Sequence, residues 1–233
     1  LRLQLKHVVW RRTHRLIASQ VPPVGPFDGI DGGDPVLAWI AADLEIRSNP
    51  RLQAERWHLH NIPPERMVAG PGSAYLLAPF TKLPLQSSRF SDGTFGAYYT
   101  ADALETALYE VRHHVELRRR ASGSPAQDFT FRELVGALDA ELDDIEAQAA
   151  AEVAACLDPD DYAAAQALAT ALRAAGCNGI AYPSVRRPGG ACAALFYPDL
   201  MLPPMQGHHP DMRWNGANVT HWRLDRSAAW LPF

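Results

Sequence analysis

Cations are scarcer than acids in this chain: 22 Lys and Arg against 26 Asp and Glu leave 233 residues with a formal net charge of −4. Neutralising a phosphate backbone takes a basic excess, which argues against a dedicated nucleic-acid binder. The local basic runs (Arg11, Arg12 and Arg15; Arg118, Arg119 and Arg120) read as solvated faces. Only three cysteines occur, Cys156, Cys177 and Cys192, too few and too scattered for a disulfide framework. A reduced, cytoplasmic setting fits them. No apolar run approaches the roughly 18 residues a membrane helix requires. Metal signatures are missing too. There is no His-Glu-x-x-His and no paired Cys-x-x-Cys, and neighbouring histidines such as His113 and His114 diverge by roughly 100° on a helix. No metal is expected.

What is there is an ordinary globular composition, 47% hydrophobic and 21% charged. Residues 1 to about 18 alternate as a strand, with Val8, Val9, Leu16 and Ile17 apolar. Residues 21–34 are loop by Pro and Gly density, and Asp34-Pro35 then starts a helix that Asn49-Pro50 stops. A second helix follows Asp102, with Glu105 three places on in a capping-box pattern. Its stripe is Leu104, Leu108, Val111 and Val115. Residues 129–140 read as a strand and turn, and 141–156 as a loop with a short helix. Asp158-Pro-Asp-Asp161 opens another helix, closed by Gly176. Residues 179–184 and 191–197 form two strands joined by a basic turn. From Pro203 onward the chain reads as polar loop that wraps the domain. Short strands and few helices, without regular alternation, indicate an α+β fold. The organisation expected is an N-terminal strand and extension (1–75), a core (76–205) and a C-terminal tail (206–233), folded as one unit.

Residues 88–110 carry the chemistry. Within this stretch an arginine (Arg89), an aromatic pair (Tyr98, Tyr99) and a helical glutamate (Glu110) follow at short intervals. A cation, a stacking platform and one carboxylate suit a site that holds a dinucleotide and strains its glycosidic bond. Glu110 lies off the core stripe, beside the small residues Ala103, Thr106 and Ala107, so it faces a pocket. His114, one turn on, is placed to support it.

With Ser184, these residues resemble a known family, the RES-domain toxins, named for characteristic Arg, Glu and Ser. The matching pieces are Ser88-Arg-Phe-Ser-Asp-Gly93, Tyr98-Tyr-Thr-Ala101, Glu105-Thr-Ala-Leu-Tyr-Glu110 and the segment from Gly179 through Ser184 to Gly190. The resemblance implies a compact ADP-ribosyltransferase-like mixed sheet with flanking helices, here with an N-terminal extension. It implies NAD as substrate rather than cofactor, with the nicotinamide–ribose bond broken by water or phosphate. Transfer of ADP-ribose to a protein is the alternative, and a non-catalytic module acting through its partner is another. A helix-turn-helix antitoxin is the implied protein partner, with no direct nucleic-acid or membrane binding by this chain; a homo-oligomer stays open.

By the same resemblance, Glu110 stabilises the oxocarbenium-like ribose and Arg89 holds pyrophosphate or ribose. Tyr99 packs on the nicotinamide ring and Ser184 hydrogen-bonds substrate or Glu110. Arg15 helps hold NAD, with Arg12 as its rival. Arg186 and Arg187 read either as a phosphate contact or as a plain basic hairpin turn. Tyr98, on the opposite side of the strand, belongs to the core. Ser184 lacks the Gly-x-Ser-x-Gly elbow of a nucleophile.

Overall fold

The structure, a computed structural model, describes residues 3–19, 40, 62–81, 87–147 and 150–233. The expected loop at 21–34, almost all of the expected helix at 35–49, and His58 and His60 lie outside the described residues.

Nine strands make one mixed sheet: β1 (Leu5–Ala18), β2 (Tyr98–Ala101), β3 (Gln127–Asp144), β4 (Gly179–Pro183), β5 (Ala191–Leu195), β6 (Met205–Gln206), β7 (Asp211–Trp214), β8 (Val219–Arg223) and β9 (Leu231–Pro232). The helices given by the described residues are α1 (Ser73–Thr81), α2 (Leu104–Ala121), α3 (Ala150–Cys156) and α4 (Ala163–Ala174). An α+β architecture results, as the sequence pattern indicates. The strand path runs β1-β2-β5-β4-β3-β7-β8-β9, and β1 also pairs with β3, so the first five strands close on themselves. Only β3 and β4 run parallel.

β3 is longer than expected and takes in residues 141–144 of the segment read as loop, while the short helix expected in that segment is α3. Leu138, Ala140 and Leu142 are buried while Asp139 and Glu141 are exposed. The acids are the solvent face of an alternating strand. The C-terminal region is likewise not loop. β7 pairs with the start of β3, and β8 and β9 extend the sheet from it. Met212, Trp214 and Val219 carry this extension into the core, each no more than 1% exposed.

Two apolar clusters lie on either side of the strands. One joins Leu16, Phe90, Leu108, Phe131, Ile180 and Phe196; the other joins Val8, Leu76, Phe80, Tyr98, Leu138 and Leu195. Tyr98 is 1% exposed in the second cluster while Tyr99 packs against the first, the period-2 alternation of a strand.

α2 buries Thr106, Ala107 and Leu108, and its Arg118–Arg119–Arg120 run sits in the last turn, where cations complement the helix dipole. Its start departs from the capping-box expectation. Ala103 is the N-cap, and the Asp102 carboxylate instead accepts the Thr106 hydroxyl at 2.8 Å. α4 likewise begins later than expected. Asp158 accepts the backbone N–H groups of Asp160 and Asp161, and Asp161 accepts that of Ala163, so these acids shape the approach to the helix. Gly176, at φ +78°, ends it.

Candidate active site

β1 and β2 are laddered at one register, His14 opposite Ala101. A cleft of about 680 Å³ lies there, lined from β1 by His14, Arg15 and Leu16 and from α2 by Glu110, His114 and Arg118. Arg89, Tyr99, Tyr162 and Cys192 also line it. Among the described lining residues, Glu110 is the sole carboxylate, and Arg15, Arg89 and Arg118 share the lining with it.

Glu110 is held from behind. Ser184 Oγ, at the end of β4, donates to its Oε1 at 2.6 Å. The same Oγ accepts the backbone N–H groups of Arg186 at 3.2 Å and Arg187 at 3.0 Å. With its lone pairs engaged, the hydroxyl proton is directed to Glu110, which fixes the direction of the bond. A charge-assisted bond of this kind contributes about 1.5–3 kcal/mol. Glu110 Oε2 has no hydrogen-bond partner among the described residues.

The β4–β5 turn that carries this arrangement sits tightly on α2. A Cβ at Gly190 would lie 2.7 Å from Thr106 Oγ1 and 2.8 Å from its Cγ2. Arg187 ties the turn to the same helix through Glu105 at 2.6 Å. Arg186 reaches His113 Nε2 at 2.8 Å and the Pro159 carbonyl. In this geometry both arginines bind protein groups, and neither lines the cleft.

Arg89 is 7% exposed, and its Nη1 donates to the Cys156 and Asp158 carbonyls at 3.1 and 2.6 Å. Its guanidinium stacks 4.5 Å from the Tyr162 ring centroid. Arg89 therefore bolts the 88–91 turn to the segment before α4, with only part of its fork engaged by carbonyls. Tyr99 holds that turn from the other side. Its hydroxyl accepts the Phe90 N–H at 2.9 Å and bonds Ser88 Oγ at 2.8 Å. Burial pushes the Tyr99 phenol up to about 12, against the Ser88 and Phe90 bonds and the charges of Arg15 and Arg89, so it stays protonated.

Arg15, not the exposed Arg12, faces the cleft. Its Nη1 donates to the Tyr99 carbonyl at 2.9 Å, and burial lowers its pKa from the ordinary arginine value, opposed by Tyr98 and Tyr99. Cys192 Sγ lies 4.0 Å from Glu110, and burial together with that carboxylate raises its pKa, so the thiol is not an activated nucleophile. His114 lines the cleft without a hydrogen bond to Glu110. Its pKa is pulled down to about 4, first by desolvation and then by His113, Arg118, Arg186 and Arg89. No group of three potential metal ligands occurs among the described residues.

His14 was not apparent as a site residue in the sequence. It enters the cleft beside Arg15, and the strand-borne Thr-His-Arg triplet alone gives no sign of its partner, which lies 119 positions away.

A family model described as the RES domain matches residues 63–215, about two thirds of the chain. "Uncharacterized protein y4oC" of Sinorhizobium fredii (strain NBRC 101917 / NGR234) is 26% identical over 211 residues, covering 89% of this chain and 84% of that protein. A chain of the crystal structure of the M. tuberculosis MbcT-MbcA toxin-antitoxin complex superposes with a TM-score of 0.43 at 13% identity, covering 91% of this chain and 88% of that one. That superposition is too loose to transfer any residue.

Proposed function

This chain belongs to the RES-domain family, and from that premise we propose that it is the toxin of a toxin–antitoxin pair and cleaves the nicotinamide–ribose bond of NAD. The observation that carries the reading is the charge pattern of the cleft. One carboxylate, fixed by Ser184, stands among Arg15, Arg89 and Arg118. A dinucleotide brings the complementary set: a dianionic pyrophosphate for the guanidinium groups, and a ribose that turns cationic during the reaction.

In that reaction the bond from ribose C1″ to the nicotinamide nitrogen breaks, and its electron pair neutralises the pyridinium. Positive charge collects on C1″ and the ring oxygen. Glu110 Oε2 stabilises that charge, and a preorganised carboxylate does so far better in a partly desolvated cleft than in water. An acceptor oxygen then bonds to C1″: water passes its proton to Glu110 Oε2, whereas a phosphate dianion attacks through an unprotonated oxygen and has none to lose. Ser184 keeps Glu110 in place and stays a hydrogen-bond donor throughout. Arg15 and Arg89 bind pyrophosphate through donors their carbonyl contacts leave over, and Tyr99 packs its ring on nicotinamide. The protein partner in this reading is a helix-turn-helix antitoxin that fills the cleft.

Incubating the purified chain with NAD alone, with and without inorganic phosphate, tests the reaction. Release of nicotinamide without any protein acceptor is expected, and ADP-ribose or its 1″-phosphate as the second product identifies the acceptor. Nicotinamide release that requires an added protein would assign the chain to protein ADP-ribosylation instead. No release under either condition would leave a binding module acting through its partner.

A further inference from the structure

A second glutamate stands directly behind the cleft. Glu133, on β3, is 0% exposed. An ionised carboxylate taken that far from water has to be paired and hydrogen-bonded. Both oxygens are: Oε1 lies 2.6 Å from His14 Nδ1, and Oε2 accepts the His208 backbone N–H at 2.8 Å. Burial pushes the Glu133 carboxyl up, but the bonds from His14 and His208 outweigh it and hold its pKa below the ordinary value. The packing around the pair is specific as well. A Cβ at Gly207 would overlap Glu133 Oε2, so glycine there lets the chain bring the His208 N–H onto the carboxylate.

An ionised Glu133 accepts from His14 Nδ1–H, which sets the orientation of the ring and leaves Nε2 as the atom presented to the cleft. Nε2 is the ring's remaining polar atom, and it has no hydrogen-bond partner among the described residues. The His14 side chain is 11% exposed, and the residue lines the cleft where β1 meets β2. The charged and titratable groups around it are Glu133 from β3, His208 from the segment after β6, Arg15 from β1 and Tyr99 from β2. Across the cleft stand Arg89, together with Glu110, His114 and Arg118 of α2. Nε2 shares the cleft lining with Arg15, Arg89 and Arg118, cations that gather anionic groups there. A donating Nε2–H suits an anion.

Resting on the reading of the cleft as a NAD site, we propose that His14 is a further substrate-binding residue whose Nε2–H donates to a phosphate oxygen, and that Glu133 is the positioning residue that orients it. That oxygen belongs to the pyrophosphate of NAD or to an inorganic phosphate acceptor; the recognition chemistry is the same.

The test uses His14→Gln and Glu133→Gln in the full chain, each first compared with wild type by thermal melting. Inorganic pyrophosphate binding is measured by calorimetry, which needs no turnover. His14→Gln is expected to weaken it about tenfold, the scale of one charge-assisted hydrogen bond. In turnover the change falls on KM, with kcat altered less than about threefold. If the KM for NAD moves, the contact is to the dinucleotide; if the KM for phosphate moves, it is to the acceptor. Glu133→Gln is expected to weaken pyrophosphate binding in the same direction, and the double variant no further than His14→Gln alone, because Glu133 acts only through His14. Unchanged pyrophosphate affinity in folded His14→Gln, a further loss when Glu133→Gln is added to it, or no pyrophosphate binding by wild type would overturn the assignment. A wild-type chain that binds pyrophosphate but leaves NAD intact would sink only the NAD reading, and the His14→Gln affinity would still decide this one.

Discussion

Glu110 and Glu133 each meet a polar side chain at 2.6 Å, yet one lines the cleft and the other is sealed behind it at 0% exposure. Glu110 is backed by a neutral hydroxyl and, among the described residues, keeps Oε2 unengaged; Glu133 has both oxygens occupied and passes its influence to an imidazole. The difference teaches that availability, more than the presence of charge, sorts two carboxylates into different roles. A carboxylate with a free oxygen can meet a developing cation directly. One with none left can only position what stands in front of it.

After loss of Glu110 itself, the largest effect should come from removing what makes it different. Ser184→Ala takes away the donor at Oε1 and lets the carboxylate reorient, with kcat expected to fall about 10- to 100-fold at similar KM. A KM effect alone would mean that Ser184 touches substrate rather than Glu110. Next is Arg89→Lys, which keeps the charge but loses the planar group that stacks on Tyr162 while its Nη1 bonds two carbonyls, and with it the donors left over for an oxyanion. Turnover should fall about tenfold, and undiminished kcat/KM would remove Arg89 from the site.

Smaller effects test the scaffold under each glutamate. Gly190→Ala forces the β4–β5 turn off Thr106 and should cost about 1–3 kcal/mol of stability by chemical denaturation; an unchanged midpoint would show that the turn has slack. The effect smallest at neutral pH is electrostatic. The folded-state pKa of His114 is lowered to about 4 from 6.5, so its contribution to stability is present above 6.5 and lost as pH falls through that window. His114→Gln should therefore flatten part of the melting-temperature decline between those limits. An identical decline in the variant would place the acid sensitivity elsewhere.

Much of the fold and the Glu110 side of the cleft could be read in the sequence, because the signals are local. Leu108, Val111 and Val115 repeat at helical spacing, and Tyr98 and Tyr99 alternate on a strand whose two faces meet two different clusters. Failures arose where tertiary pairing decides. Glu141 reads as a loop residue because its strand has a wet face, although Leu138, Ala140 and Leu142 alternate with Asp139 and Glu141. Asp211-Met-Arg-Trp214 held a usable signal in Met212 and Trp214, but its partner strand lies some eighty residues earlier. Asp102 and Asp158 have the composition of caps and bond elsewhere, since a nearby Thr106 hydroxyl and turn N–H groups compete for them. The His14–Glu133 pair could not be read at all: a glutamate between Phe131 and Val135 gives no local reason to be buried.

The central claim is that Glu110 supplies the charge that loosens nicotinamide from ribose. Nicotinamide release from NAD, followed by chromatography for wild type and Glu110→Gln at matched melting temperature, tests it most directly. The account predicts steady release by wild type and at least a ~100-fold lower rate in the glutamine variant, the scale of losing a preorganised transition-state contact. Equal rates from the two proteins would contradict it.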